Sequence, residues 1–130
     1  MSREKFTCEY LINTTPKSLF RFVSTPTGLS NWFADSVKQD DKDKEYFIVK
    51  WGKSLSRIKL IEHNPNYLIK YCWEEDEGSP YFFEFEIDYD ELTKVVSLKV
   101  IDFAEDDEKD SLQAIWDSNI KQLKHGLGSK

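Results

Sequence analysis

The chain has 130 residues, enough for one domain spanning residues 1–130 with its own core. Hydrophobic residues make up 39% and aromatics 15%, so large rings must supply much of the buried area. Charged residues reach 32% and no run approaches the length of a membrane-spanning helix, which excludes a helical span.

The start, Met1-Ser2-Arg3-Glu4-Lys5, lacks the apolar stretch of a secretory signal, so a cytoplasmic location is expected. Cys8 and Cys72 are too few for a disulfide framework and sit in no metal-binding cluster, so two reduced thiols are expected. The net charge of −6 is unevenly spread. Between Glu74 and Asp110 there are 15 acids against Lys94, Lys99 and Lys109, so this segment carries −12 and the rest +6. Such a patch repels phosphate backbones, which disfavours nucleic acid. It suits a protein partner at the acidic surface, or solubility alone.

Phe6, Cys8, Tyr10 and Ile12 alternate with polar or solvent-side positions, the period of a strand with one buried face. Thr14-Thr15-Pro16 then gives a helix start, a threonine cap with proline at the first helical position. Leu19, Phe20 and Val23 share one face of that short helix. Thr25-Pro26 repeats the signal for a second short helix expected to carry Leu29, Trp32 and Phe33. Phe47, Val49 and Trp51 alternate up to a Gly52-Lys53 turn, and Ile58 and Leu60 continue the pattern. The stretch from Glu62 and His63 through Asn64-Pro65-Asn66 reads as the next turn. Tyr67, Ile69, Tyr71 and Trp73 alternate, as do Tyr81, Phe83, Phe85 and Ile87 after an acidic loop ending Gly78-Ser79-Pro80. Glu84 and Glu86 are expected to face water. Val96, Leu98 and Val100 carry the last strand. Hairpin links and one wet face predict an antiparallel sheet. Leu112, Ile115, Trp116, Ile120, Leu123 and Leu127 follow the helical period and predict a long C-terminal helix. Its preceding acids and its final Lys121, Lys124 and His125 suit the helix dipole.

Strand, two short helices, about six further strands and a long helix is an order that resembles the START-like, or SRPBCC, helix-grip superfamily. The branch it most resembles is the one related to activators of heat-shock protein 90 ATPase. The residues that carry this are Thr15-Pro16-Lys17-Ser18-Leu19-Phe20, Ser24-Thr25-Pro26-Thr27-Gly28-Leu29-Ser30-Asn31-Trp32-Phe33, and the helix from Ile115-Trp116 to Leu123-Lys124. Phe103-Ala104-Glu105 with its acidic run is similar to small bacterial START-like proteins. The resemblance covers essentially the whole chain. It implies an α+β helix-grip fold, a curved antiparallel sheet wrapped around the C-terminal helix. It also implies a cavity between the two, used in relatives for lipids, hormones and polyketides.

On the residues themselves, catalysis lacks its parts. His63 and His125 read as surface histidines, and no nucleophile has a base at hand. The acidic runs at Glu74–Glu77 and Glu105–Glu108 lack the spacing of a calcium loop, so neither a metal nor a cofactor is expected. The aromatics are the informative positions. Tyr10, Trp51, Tyr71, Trp73, Tyr81, Phe83 and Phe85 share the predicted concave face and meet Trp116 and Ile120, with Trp32 and Phe33 at the mouth. These eleven residues form the candidate ligand cavity, mostly apolar with a few polar tips; a core simply filled by the rings is the competing reading. The expected function is a non-catalytic module binding an apolar small molecule or lipid. The alternative is a protein-interaction or chaperone-related regulatory domain working through its acidic surface.

Overall fold

A computed structural model describes residues 2–128; Met1, Ser129 and Lys130 lie outside the described residues. Strand β1 (Glu4–Leu11) buries Phe6 and Cys8 on one face and leaves Lys5, Thr7 and Glu9 exposed, as its alternation demands. Helix α1 (Pro16–Ser24) starts where its sequence says it should: the Thr15 hydroxyl accepts from the Ser18 amide at 3.1 Å. Thr25 repeats the cap for α2 (Pro26–Leu29), accepting from Gly28 N–H at 3.0 Å. That second helix is only four residues long, so Trp32 and Phe33 lie beyond it, in the turn that follows. Gly28 stands at the corner between the helices, where an added Cβ would come within 2.4 Å of the Arg21 carbonyl oxygen.

The sheet continues through β2 (Ser36–Gln39), β3 (Tyr46–Trp51), β4 (Ser54–Asn64), β5 (Leu68–Trp73), β6 (Phe83–Asp90) and β7 (Val95–Ala104). All neighbours are antiparallel, and the order β1-β7-β6-β5-β4-β3-β2 puts the first strand back against the last. Gly52 (φ +53°) takes the left-handed conformation that the β3–β4 turn requires. The long helix α3 (Lys109–Gly126) then lies across the concave face and buries Trp116, Ile120 and Leu123.

Several sequence expectations change here. Strand β2 has one buried residue, Val37, too little apolar pattern to announce itself. It is held by pairing with β3 and by the Ser30 hydroxyl, which accepts from Val37 N–H at 2.8 Å. Glu62 and His63 belong to β4, not to a turn, because a bulge between Leu60 and Glu62 lets that strand run on to Asn64. Tyr67 sits in the turn before β5 and is half exposed. Tyr81 precedes β6 rather than pairing within it.

The largest correction concerns Glu84, which is 6% exposed although its alternation assigns it to the wet face. The convex face carries a second, smaller apolar layer at this point. Cys72 and Ile101 are buried there, Ile101 sits opposite Glu84, and Phe82 and Phe103 meet edge to face nearby. The Lys70 ammonium lies 4.4 Å from the Phe82 ring centre and 3.5 Å from the Glu84 carboxylate. Burial, and then hydrogen bonding and like charge from Glu86, push the Glu84 carboxyl up to about 7, against the pull of Lys70.

Candidate functional site

The eleven residues named from sequence divide into an interior group and a peripheral one. Trp32, Phe33, Tyr71, Phe83, Phe85, Trp116 and Ile120 are all buried, none more than 5% exposed. Register explains why they meet. Tyr71 pairs with Phe83, and Ile69 with Phe85, so the inner faces of β5 and β6 present a block of rings to α3. Trp116 then touches Trp32, Phe33, Phe83 and Phe85, with centroids 5.7 to 6.4 Å apart. Phe33 stacks on Phe83 at 5.6 Å and on Trp73 at 6.2 Å, and Trp51 meets Trp73 at 5.6 Å. These are the offset and edge-on geometries that ring quadrupoles favour.

The polar tips inside are satisfied by the protein itself. Trp32 Nε1–H donates to the Phe22 carbonyl at 2.8 Å, and the Tyr71 hydroxyl donates to the Val23 carbonyl at 2.8 Å. Burial alone raises the Tyr71 phenol well above its ordinary value, so it stays a neutral donor. Among the described residues no buried side-chain nitrogen or oxygen lacks a partner.

The peripheral group stands elsewhere. The Tyr10 hydroxyl donates to Asp117 Oδ1 at 2.7 Å across the β1 side of α3. Trp51, 38% exposed, closes the opposite side, with its Nε1–H on the Phe33 carbonyl. Trp73 and Tyr81 reach an open groove of about 440 Å³, where the N-terminal half of α3 stands over the end of β7 and the entry to β6. Its apolar walls are Trp73, Tyr81, Phe82, Phe103, Leu112 and Ile115. Its polar groups are Arg3, Asp76, Asp102, Asp107, Glu108 and Ser111. Ile115, expected in the core, is 55% exposed because the rotation that buries Trp116 turns its neighbour outward.

Asp102 is the most deeply placed of the polar groove residues that sequence reasoning missed. It follows Val96, Leu98 and Val100 in the same inward phase and sits opposite Phe6, so its carboxylate enters the sheet's concave side. Phase alone marks it, yet an acid in a strand reads as solvent-facing. Asp102 Oδ2 accepts from Trp116 Nε1–H at 2.9 Å, and Oδ1 accepts from its neighbour Phe103 N–H at 2.8 Å. Burial raises its carboxyl above the usual range, with the Trp116 bond as the main opposing effect. Beside the groove, the carboxylates of Glu105, Asp107 and Glu108 converge within 4.8 Å. Hydrogen bonding to Glu105, and then like-charge repulsion, raise the Glu108 carboxyl.

A sheet of this order clasping one long terminal helix defines the helix-grip class. The chain belongs to the START-like superfamily, whose domain profile matches residues 1–129. A Bacteroides fragilis protein, BfR322, is similar at 35% identity, with a TM-score of 0.69 over 97% of this chain and 92% of its own. The Aha1 dimer from Colwellia psychrerythraea shares the fold at a TM-score of 0.76 and 13% identity, over 95% of this chain and 96% of its own. Protein BH1534 from Bacillus halodurans does so at 0.75 and 14%, over 98% and 99%. No curated protein matches the chain. Among the described residues no helix is long and apolar enough to cross a membrane.

Proposed function

We propose that the domain is a non-catalytic binding module that takes an apolar small molecule or lipid into the groove under the N-terminal half of α3. The observation that carries this is the groove itself. It is a concavity of about 440 Å³ lined by four aromatic rings, a leucine, an isoleucine and an alanine together with Arg3, Ser111 and four carboxylates. That volume and mix are typical of small-molecule sites. The family supports the reading, since START-like domains commonly hold hydrophobic ligands.

The groove lies at the edge of the cavity expected from sequence and shares Trp73 and Tyr81 with it. A ligand reaching deeper would have to part Phe33, Trp73 and Phe83, which lie in stacked and tilted contact. Displacing such rings forfeits packing on the order of 1 kcal/mol per pair, so the groove is the easier place to occupy. A binding role also accords with the histidines: His63 packs edge-on against Phe20 and His125 lies in the last turn of α3, neither among the groove's lining.

The test is titration with Nile red, a neutral apolar dye. Saturable fluorescence enhancement is expected, and it should be abolished by Ser111→Trp, which fills the groove from an exposed helix position. Absence of saturable binding, or binding indifferent to Ser111→Trp, contradicts the proposal.

A further inference from the structure

The groove's charges identify the kind of head group its ligand should carry, and the N-terminal segment already displays it. Four carboxylates line the groove, Asp76, Asp102, Asp107 and Glu108, against one cation, Arg3. Arg3 comes from the coil just before β1, so no strand or helix geometry forces it there. Its guanidinium nonetheless bonds Asp76 at 2.9 Å and lies 4.5 Å from the centre of the Tyr81 ring. Its backbone N–H donates to the Tyr81 hydroxyl at 3.2 Å. A carboxylate beside an aromatic face is the pairing that recognises organic cations. The positive end of α3's dipole points at the same place, but Asp107 and Glu108 at the helix start offset it. The walls beyond Arg3 are apolar: Trp73, Phe82, Phe103, Leu112 and Ile115.

We infer that the groove takes an amphiphile with a cationic head, a primary amine or guanidinium, on an apolar tail, and that Arg3 is a tethered stand-in which the ligand's head displaces. The head would sit between Asp76 and the Tyr81 ring, and the tail would run over Phe103 and under Leu112 and Ile115 towards Trp73. Asp102 lines the same groove, each of its oxygens already accepting one N–H. This inference rests on the groove being the binding site and adds the ligand's charge.

The experiment compares three probes of equal chain length, dodecylamine, dodecanol and laurate, near neutral pH and below their micelle concentrations. Each competes with Nile red on the full chain. A cation–π contact plus a partly exposed ion pair should favour dodecylamine over the other two by roughly tenfold. Rising salt should erode that preference. Arg3→Gln, a change in an exposed coil, removes the competing cation and should tighten dodecylamine several-fold, by more than it tightens dodecanol. Asp76→Asn should reduce the head-group preference. Laurate or dodecanol displacing the dye as well as dodecylamine overturns the inference and leaves the groove's binding role standing. An Arg3→Gln variant no tighter for dodecylamine than the parent overturns it too. If the dye binds but none of the three displaces it, the inference fails and the groove's binding role stands; if no dye binds, the groove reading itself fails.

Discussion

The two ends of α3 meet the sheet differently. At the C-terminal end Trp116, Ile120 and Leu123 are buried at the spacing of one helix face, and Gly126 lets the helix close on α1. A Cβ on Gly126 would stand 3.1 Å from Phe22 Cε2, so that approach has no slack. At the N-terminal end Leu112 is only half buried, Ile115 is exposed, and the groove opens beneath them. The same helix is thus a core element over its last three turns and the wall of a groove over its first two. Stability is expected to reside in the former and ligand recognition in the latter.

Adjacent residues at the boundary give the largest contrast. Trp116→Ala removes a buried ring and leaves Asp102 without its indole donor, and should cost about 3–5 kcal/mol in chemical denaturation. Ile115→Ala, one position away, should change stability by less than about 0.5 kcal/mol while weakening Nile red binding. Equal costs would erase the distinction between the two ends. Gly28→Ala tests the tight end through its support. The new methyl collides with backbone at Arg21 and Phe22, so the α1–α2 corner that sets Trp32 must shift, at about 1–3 kcal/mol.

The pH dependence sharpens the comparison, because the buried acid Asp102 stands at the boundary, lining the groove while accepting from Trp116. Asp102 and, on the convex face, Glu84 both have carboxyls raised by burial. An acid whose folded pKa exceeds its unfolded value binds more protons when folded. Its contribution therefore favours folding at low pH and is lost as pH rises through the interval between the two values. For Glu84 that interval runs from 4.5 to about 7. The loss across it should be on the order of 1–3 kcal/mol. Glu84→Gln should flatten this interval. Asp102→Asn should instead flatten the separate fall that begins lower, at the ordinary aspartate value of 3.8. Denaturation midpoints across pH check both; a parent protein whose stability rises over that interval would reverse the sign.

The tight end was far more legible in the sequence than the open one. The 3.6-residue spacing of Trp116, Ile120 and Leu123 and the period-two runs at Tyr71 and at Phe83 and Phe85 are strong signals, because one buried face repeats. The two Thr-Pro caps announced their helices for the same reason: each rests on a local bond. The groove combines pieces with no shared period: Arg3 from coil, Asp76 and Tyr81 from the β5–β6 connection, Asp102 from the end of β7 and Ile115 from α3. Only Trp73 and Tyr81 were named for it, through their strand phase. Asp102 was hidden by its charge. Glu84 was hidden by a convex layer in which each member, Cys72, Phe82 and Ile101, falls on the face that alternation assigns to water.

The most direct test is to follow backbone and side-chain NMR shifts during titration with dodecylamine. The account predicts changes concentrated at Arg3, Asp76, Tyr81, Asp102, Phe103 and Ile115, with Leu98, Ile120 and Leu123 unmoved. Shifts centred instead on Phe33, Phe85 and Ile120, with Arg3 and Tyr81 silent, would show the ligand entering among the interior rings and contradict it.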